Sequence, residues 1–276
     1  MIAYKTLMVH VDLEAAHEAS LAVAIKLAKQ FDARVIGIAA GDFQPMYFLD
    51  GVAAQSYLEQ EQAEIKLRLV RAEEQFSAHF KGLVREVGWR SKLGNPSAFI
   101  AAESRAADLI ITGVGRRGDA LGALQQITAG DIVMQSGRPL LLVPADAQQL
   151  DMDSVLVAWK DTREARKAVR DALPLMLNAK EVRVVEIPEG GDTRENALRR
   201  VNGIVGWLSA HGIKASALVP GEHGSAAKRL GELAREQGAQ LVVAGGYGHS
   251  RVREWIFGGV TEEFMTRATH CSLVAH

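Results

Sequence analysis

The chain has 276 residues, which suggests two domains at about 150 residues per domain. Hydrophobic residues make up 48% and charged residues 24%, a balance that excludes intrinsically disordered and fibrous proteins. The 32 Lys and Arg residues and the 33 Asp and Glu residues give a net charge of -1. No overall charge therefore attracts nucleic acid or an anionic membrane, and we expect neither as a partner.

Cysteine content and hydropathy indicate the cellular location of the protein. Cys271 is the single cysteine, so the chain forms neither an internal disulfide nor a cysteine-rich zinc cluster. Residues 1–11 run into an apolar, β-branched stretch without a cleavage-site pattern, which favours a first strand over a signal peptide. No segment approaches the roughly 18 uninterrupted apolar residues of a membrane span. We expect a soluble cytoplasmic protein.

In chain order, the first half alternates predicted strands and helices. Residues 5–12 predict a strand, and a helical period follows to about residue 30. Residues 55–81, rich in Glu, Gln, Ala, Leu and Arg, predict a long helix. The remaining predicted strands lie at 33–38, 108–113 and 139–143. Continuous apolar strands of this kind are typical of a parallel sheet that is covered on both faces.

The same plan returns in the second half, after a linker at 144–153 that lacks strand or helix periodicity. The strands at 108–113 and 139–143 recur at 240–245 and 271–275, both at one offset of 132 residues. The other predicted elements are a strand at 154–160, a helix at 162–178, a strand at 181–187 and a helix at about 192–211. We therefore predict two tandem α/β domains, residues 1–147 and 153–276, each doubly wound with helices on both faces of its sheet.

A glycine-rich segment follows the strand at 240–245, where ligands gather in open α/β sheets. Its glycines are spaced G-x2-G-x9-G, and a helix is predicted after them. Glycine lets backbone N–H groups approach a ligand closely, and a helix N-terminus favours anions, so the segment is a candidate phosphate cradle. Its residues are Gly245, Gly248, His249, Ser250, Arg251, Gly258, Gly259 and Val260.

This spacing, in this place, resembles the nucleotide-binding signature of the universal stress protein family, and the repeat resembles its tandem members. The resemblance implies an adenine nucleotide alpha hydrolase-like fold, with two five-stranded, mostly parallel sheets. It also implies that the last strands of the two halves pair antiparallel to form an internal pseudo-dimer. The implied ligand is an adenine nucleotide (ATP, ADP or AMP), with Mg²⁺ as a further candidate.

The two halves share the expected site unequally. In the family an acidic residue closes the first strand, and Asp12 holds that position here, whereas Lys160 holds it in the second half, with Asp161 next. The first half keeps Gly113 but has Arg116 and Gln126 in place of the other two signature glycines, so its site is expected to be degenerate. The second half keeps the glycines, although Gly259 stands where the family usually has Ser or Thr. Asp161 and Thr162 are equally well explained as the N-cap of a helix.

We predict a stress-response sensor or adaptor that binds an adenine nucleotide in its second half and has no catalytic residues, with at most slow incidental ATP hydrolysis. Two alternatives stay open: an interaction module that has lost nucleotide binding in both halves, and a slow ATPase. No His, Cys or acidic spacing indicates a metal site. The expected partners are the nucleotide, a protein still to be identified and, in a homodimer, a second tandem chain.

Overall fold

The computed structural model describes nine parts of the chain. They are residues 3–13, 18–42, 52–114, 129–145, 147, 153–188, 191–221, 226–246 and 270–276. All statements below concern these residues.

The first half contains five strands and four helices among the described residues. They are β1 (Thr6–His10), α1 (Glu18–Phe31), β2 (Arg34–Gly41), α2 (Val52–Phe80), β3 (Val87–Leu93), α3 (Pro96–Glu103), β4 (Leu109–Val114), α4 (Ala129–Ser136) and β5 (Leu140–Pro144). A short 3-10 helix at Ser104–Ala106 joins α3 to the loop before β4. The alternation predicted from hydrophobic periodicity is therefore present.

The second half repeats this plan. Its described elements are β6 (Ser154–Ala158), α5 (Arg163–Asp171), α6 (Leu173–Met176), β7 (Glu181–Val185), α7 (Arg194–Ala210), β8 (Ala215–Leu218), α8 (Ala226–Glu236), β9 (Leu241–Gly245) and β10 (Cys271–Ala275). No described helix is both long and apolar enough to span a membrane.

All ten strands form one sheet, in the order β3-β2-β1-β4-β5-β10-β9-β6-β7-β8. Pairing is parallel within each half, and β5 pairs antiparallel with β10 at the seam between them. Leu141 lies opposite Leu273, its own counterpart 132 residues later, so a pseudo-two-fold axis passes between the two. The predicted α/β class and the antiparallel seam are both confirmed.

The hydrophobic core is continuous across the seam on one face of the sheet. Leu141 and Val143 from β5 belong to the same buried cluster as Leu273 from β10 and Val157 from β6. The opposite face carries two smaller clusters: one combines residues of the first half with Val274 of β10, and the other lies within the second half. Both faces of the central strands are therefore buried, as their uninterrupted apolar sequences predict.

Contacts between the halves also involve polar groups at the seam. The buried Tyr4 hydroxyl donates a 2.6 Å hydrogen bond to the carbonyl of Asp171 at the end of α5. Lys167 reaches from α5 to the carbonyl of Gly137, 3.3 Å away, in the turn before β5. Burial and the nearby carboxylates of Asp171 and Asp108 raise the pKa of Tyr4, so this hydroxyl stays protonated as a donor.

One predicted helix is wrong in detail. The segment 162–178 reads as a single helix, but α5 ends at Asp171 and α6 begins at Leu173. Pro174 has no N–H to donate to the carbonyl of Arg170, and its ring disfavours helical geometry at the preceding residue. Leu173, Leu175 and Met176 are nevertheless buried, because the short α6 turns its apolar residues into the core.

Candidate functional site

The candidate site of the second half lies at the carboxyl ends of β6 and β9. The two strands are parallel neighbours, with Ala158 opposite Ala244, so the segments that leave them begin side by side. From β6 the chain continues towards β7 on one side, whereas β9 lies next to β10 on the other. Such a reversal of strand order opens the crevice in which α/β proteins bind ligands. Lys160 and Asp161 are brought to the same edge as Gly245.

Thr162 and Asp161 stabilise the first turn of α5. Thr162 is the N-cap, and its hydroxyl accepts a hydrogen bond from the amide of Ala165 at 3.3 Å. Asp161 pairs with Arg166, with 2.5 Å between the carboxylate and the guanidinium. Both side chains therefore contribute to helix α5 itself. Lys160, one residue earlier, is exposed at the edge.

Gly245 has a packing role that the sequence did not reveal. A Cβ atom placed on it would lie 2.6 Å from the carbonyl carbon of Glu164 and 2.9 Å from Cα of Ala165. Real Cβ atoms do not approach backbone so closely, so the first turn of α5 requires glycine at this end of β9.

Gly246 lies close to residues of the first half of the chain. A Cβ on Gly246 would lie 3.2 Å from a methyl group of Val133 in α4. Its amide donates to the carbonyl of Ala275 at 2.7 Å, and its own carbonyl lies 3.0 Å from Nδ1 of His276. The edge that was expected to hold the nucleotide therefore contacts both the end of β10 and a helix of the other half.

The rest of the predicted cradle lies outside the described residues. This applies to Gly248, His249, Ser250, Arg251, Gly258, Gly259 and Val260, whose assignment stays a prediction.

The equivalent edge of the first half is less restricted. A Cβ on Gly113 would meet only the Ser20 hydroxyl, at an ordinary 3.9 Å, so packing does not demand glycine there. Thr112, the residue before Gly113 in β4, forms a buried polar pair with His10 at the end of β1. The Thr112 hydroxyl and Nδ1 of His10 lie 3.0 Å apart. Asp12 is partly buried just beyond β1. The two halves therefore share a backbone plan but not the chemistry of the edge.

An ionic cluster that sequence reasoning missed lies at the carboxyl end of β7. The buried carboxylate of Glu186 accepts hydrogen bonds from Arg200 of α7, including one of 2.8 Å from Nε. Arg200 also pairs with Asp192 just before α7. Burial raises the pKa of Glu186, although Arg200 opposes the shift. The available signal was a glutamate in the otherwise apolar end of a predicted strand.

The same region holds two buried polar atoms that find no hydrogen-bond partner among the described residues. They are Oε2 of Glu186 and Nε1 of Trp159, the residue that directly follows β6. Trp159 is 7% exposed and Glu186 is 6% exposed. Buried polar groups are nearly always paired. An unpaired donor and an unpaired acceptor at the carboxyl ends of neighbouring strands therefore mark a candidate point of contact with a ligand.

Among the described residues, no group of three or more His, Cys, Asp or Glu side chains could hold a metal ion. Cys271 is buried in β10, and burial raises the pKa of its thiol to about 12. It is therefore an inert core residue and not an activated nucleophile.

A sequence profile and solved structures show what this chain is similar to. A sequence profile described as the Universal stress protein family matches residues 3–144. A universal stress protein from Archaeoglobus fulgidus DSM 4304 superposes with a TM-score of 0.73 at 18% identity, covering 98% of this chain and 95% of that one. A functionally unknown protein from Pseudomonas aeruginosa PAO1 superposes with a TM-score of 0.59 at 15% identity, covering 99% and 92%.

Curated protein sequences gave no match. At these identities the structural likenesses concern the fold, whereas the profile match spans more than half of the sequence. The repeated α/β plan, the antiparallel seam and the profile match agree, and the chain belongs to the universal stress protein family.

Proposed function

We propose that this protein is a stress-response sensor or adaptor that binds an adenine nucleotide at the carboxyl edge of β6 and β9. The observation that carries the proposal is the meeting of Lys160 and Gly245 at the reversal of strand order, directly before the predicted glycine cradle. The preference for adenine rests on the resemblance of the G-x2-G-x9-G spacing to the family signature. The resemblance to the family, together with the single buried cysteine, also favours a cytoplasmic location.

The electrostatics of the edge suit a phosphorylated ligand. Lys160 is exposed, and the side chains of Arg163 and Arg166 are 74% and 58% exposed at the start of α5. The first half has Asp12 where the second half has Lys160, so the second edge carries more positive charge at equivalent positions. Cationic side chains and a helix N-terminus both favour a bound phosphate.

We propose a binding role and not a dedicated catalytic one. Hydrolysis of a phosphoanhydride needs a base or a positioning group on the attacking water. Asp161, the carboxylate next to Lys160, pairs with Arg166, and Glu164 is buried against Arg163. The engagement of each carboxylate by an arginine supports a binding role.

The test has two steps. Freshly purified protein is denatured and the released small molecules are identified by mass spectrometry, and ATP is then titrated into wild type, Gly248→Arg and Asp12→Ala by calorimetry, with and without Mg²⁺. We expect about one adenine nucleotide per chain, a Kd weakened at least about tenfold by Gly248→Arg, and no change for Asp12→Ala. Gly203→Arg is the matched control, because it adds the same side chain at an open helix position.

A second candidate function, a nucleotide-independent interaction module, is favoured by a specific observation. Thr162 caps α5, Asp161 pairs with Arg166, and Gly245 packs against α5, so each of these residues has a structural explanation without a ligand. Absence of any released nucleotide, together with absence of saturable ATP binding, would favour this alternative.

A further inference from the structure

Trp159 and Glu186 form a pair of neighbours at the carboxyl ends of β6 and β7. Ala158 lies opposite Val185, and the amide of Trp159 donates to the carbonyl of Val185 at 2.8 Å. Trp159 and Glu186 therefore occupy the next pair of positions in the register. Trp159 shares a core cluster with Val157 and Val184. Because side chains alternate along a strand, Glu186 lies on the same face as Val184 and therefore beside Trp159.

The first half shows that the fold does not need polar side chains here. The amide of Val11 donates to the carbonyl of Ile38 at 2.9 Å, so Val11 and Ala39 are the counterparts of Trp159 and Glu186. Both counterparts are apolar and at most 1% exposed. The second half thus places a donor and a carboxylate where the first half closes its core with two aliphatic side chains.

The ionic cluster fixes which oxygen of Glu186 is available. Oε1 accepts from Arg200, which also pairs with Asp192, whereas Oε2 has no partner in the part of the chain that the structure describes. Nor does the indole N–H of Trp159 meet an acceptor from any described residue. The pair therefore presents one donor and one acceptor, each more than nine-tenths buried, and leaving such atoms unpaired is unfavourable.

We propose that Trp159 and Glu186 recognise the base of the nucleotide in the second half, an inference that rests on the proposed function. Adenine presents a ring acceptor, N1, beside a donor, its 6-amino group. N1 accepts from the indole N–H of Trp159, and the 6-amino group donates to Oε2 of Glu186. Guanine has two donors beside its acceptor. One of them could donate to Oε2 of Glu186, but the second would stay unpaired because Arg200 occupies Oε1.

Both atoms are enclosed, so the base reaches them only when the Trp159 indole turns out of its packed position. Binding therefore changes the environment of this indole. Its fluorescence is a direct signal of contact with the base.

The experiment compares ATP with purine riboside 5′-triphosphate, which keeps N1 but lacks the 6-amino group. Both are titrated into wild type, Glu186→Gln and Trp159→Phe by calorimetry and by tryptophan fluorescence. Glu181→Gln, at the other end of β7, and Trp207→Phe, on the surface of α7, are matched controls. Circular dichroism establishes that each variant is folded.

Wild type should prefer ATP on the order of tenfold or more, because the analogue leaves Oε2 of Glu186 unpaired. In Glu186→Gln the amide oxygen turns towards Arg200, which can only donate, so the NH₂ group replaces Oε2 and opposes the 6-amino group. The preference for ATP should then disappear. Trp159→Phe should weaken both ligands equally and remove the fluorescence change.

Saturable ATP binding with an unchanged preference in Glu186→Gln would overturn the base-recognition inference and leave the proposed function standing. An unchanged fluorescence response in Trp159→Phe would overturn it as well. Absence of ATP binding by wild type would overturn both. Should Glu186→Gln fail to fold, Trp159→Phe decides alone, since equal weakening of both ligands is required.

Discussion

At the scale of single residues, equivalent positions give the two halves different chemistry. Lys160 stands where the first half has Asp12, and Glu186 stands where it has Ala39. The sequence identified the first exchange, because Asp12 and Lys160 both follow recognisable strands. It did not identify the second, because burial of Glu186 depends on Arg200, which lies on a helix further along the chain.

His270 provides a residue-scale prediction on pH. It is 4% exposed beside β10, and burial, with a smaller contribution from Arg235, lowers its pKa to about 4. The unfolded chain therefore binds a proton below about pH 6.5 that the folded chain binds only near pH 4, so stability falls as pH falls through this window. The free energy of unfolding should drop by about 2 kcal/mol between pH 7.5 and 5 on account of this residue.

Urea unfolding of wild type and His270→Asn at several pH values measures this contribution. The variant should lose less stability than wild type across the same window. His211→Asn is the control, because His211 packs on Trp207 at the exposed end of α7. Parallel pH profiles for wild type and His270→Asn would contradict the prediction.

At the scale of elements, glycines have opposite roles in β9 and α7. Gly245 at the end of β9 is required by the approach of α5, whereas Cβ atoms at Gly203 and Gly206 of α7 would meet nothing within 4 Å. A sequence alone shows only that all three are glycines. The difference depends on how closely another element approaches each of them.

Gly203→Ala and Gly206→Ala should each stabilise the protein by about 0.5–1 kcal/mol, because alanine restricts the unfolded chain and favours the helix. Gly245→Ala should destabilise it by about 1–3 kcal/mol in the absence of any nucleotide, because the new Cβ overlaps the α5 backbone. Urea unfolding of the three variants measures both effects. Destabilisation by either α7 substitution would contradict this prediction.

At the scale of the whole molecule, one sheet and one buried cluster cross the seam between the two halves. The sheet runs without interruption through β5 and β10, and one buried cluster contains residues from both sides. Tyr4 and Lys167 add hydrogen bonds between the halves. We therefore expect the two repeats to unfold together.

Leu273→Ala tests this cooperativity. Leu273 is fully buried opposite Leu141, and its truncation leaves a cavity at the seam that should cost about 2–5 kcal/mol. Hydrogen exchange followed by mass spectrometry should show β2 and β7, which lie in different halves, losing protection to the same extent. Loss confined to β7 would mean that the halves unfold separately.

The sequence by itself determined the repeat, the α/β class and most of the strands and helices, because these depend on hydrophobic periodicity and on residues near each other in the chain. It placed α2 and α7 within a few residues of their observed bounds. Tertiary structure alone decided what Gly245 packs against and how Trp159 and Glu186 come to occupy neighbouring positions on adjacent strands. Those properties depend on contacts between distant segments, which no local pattern encodes.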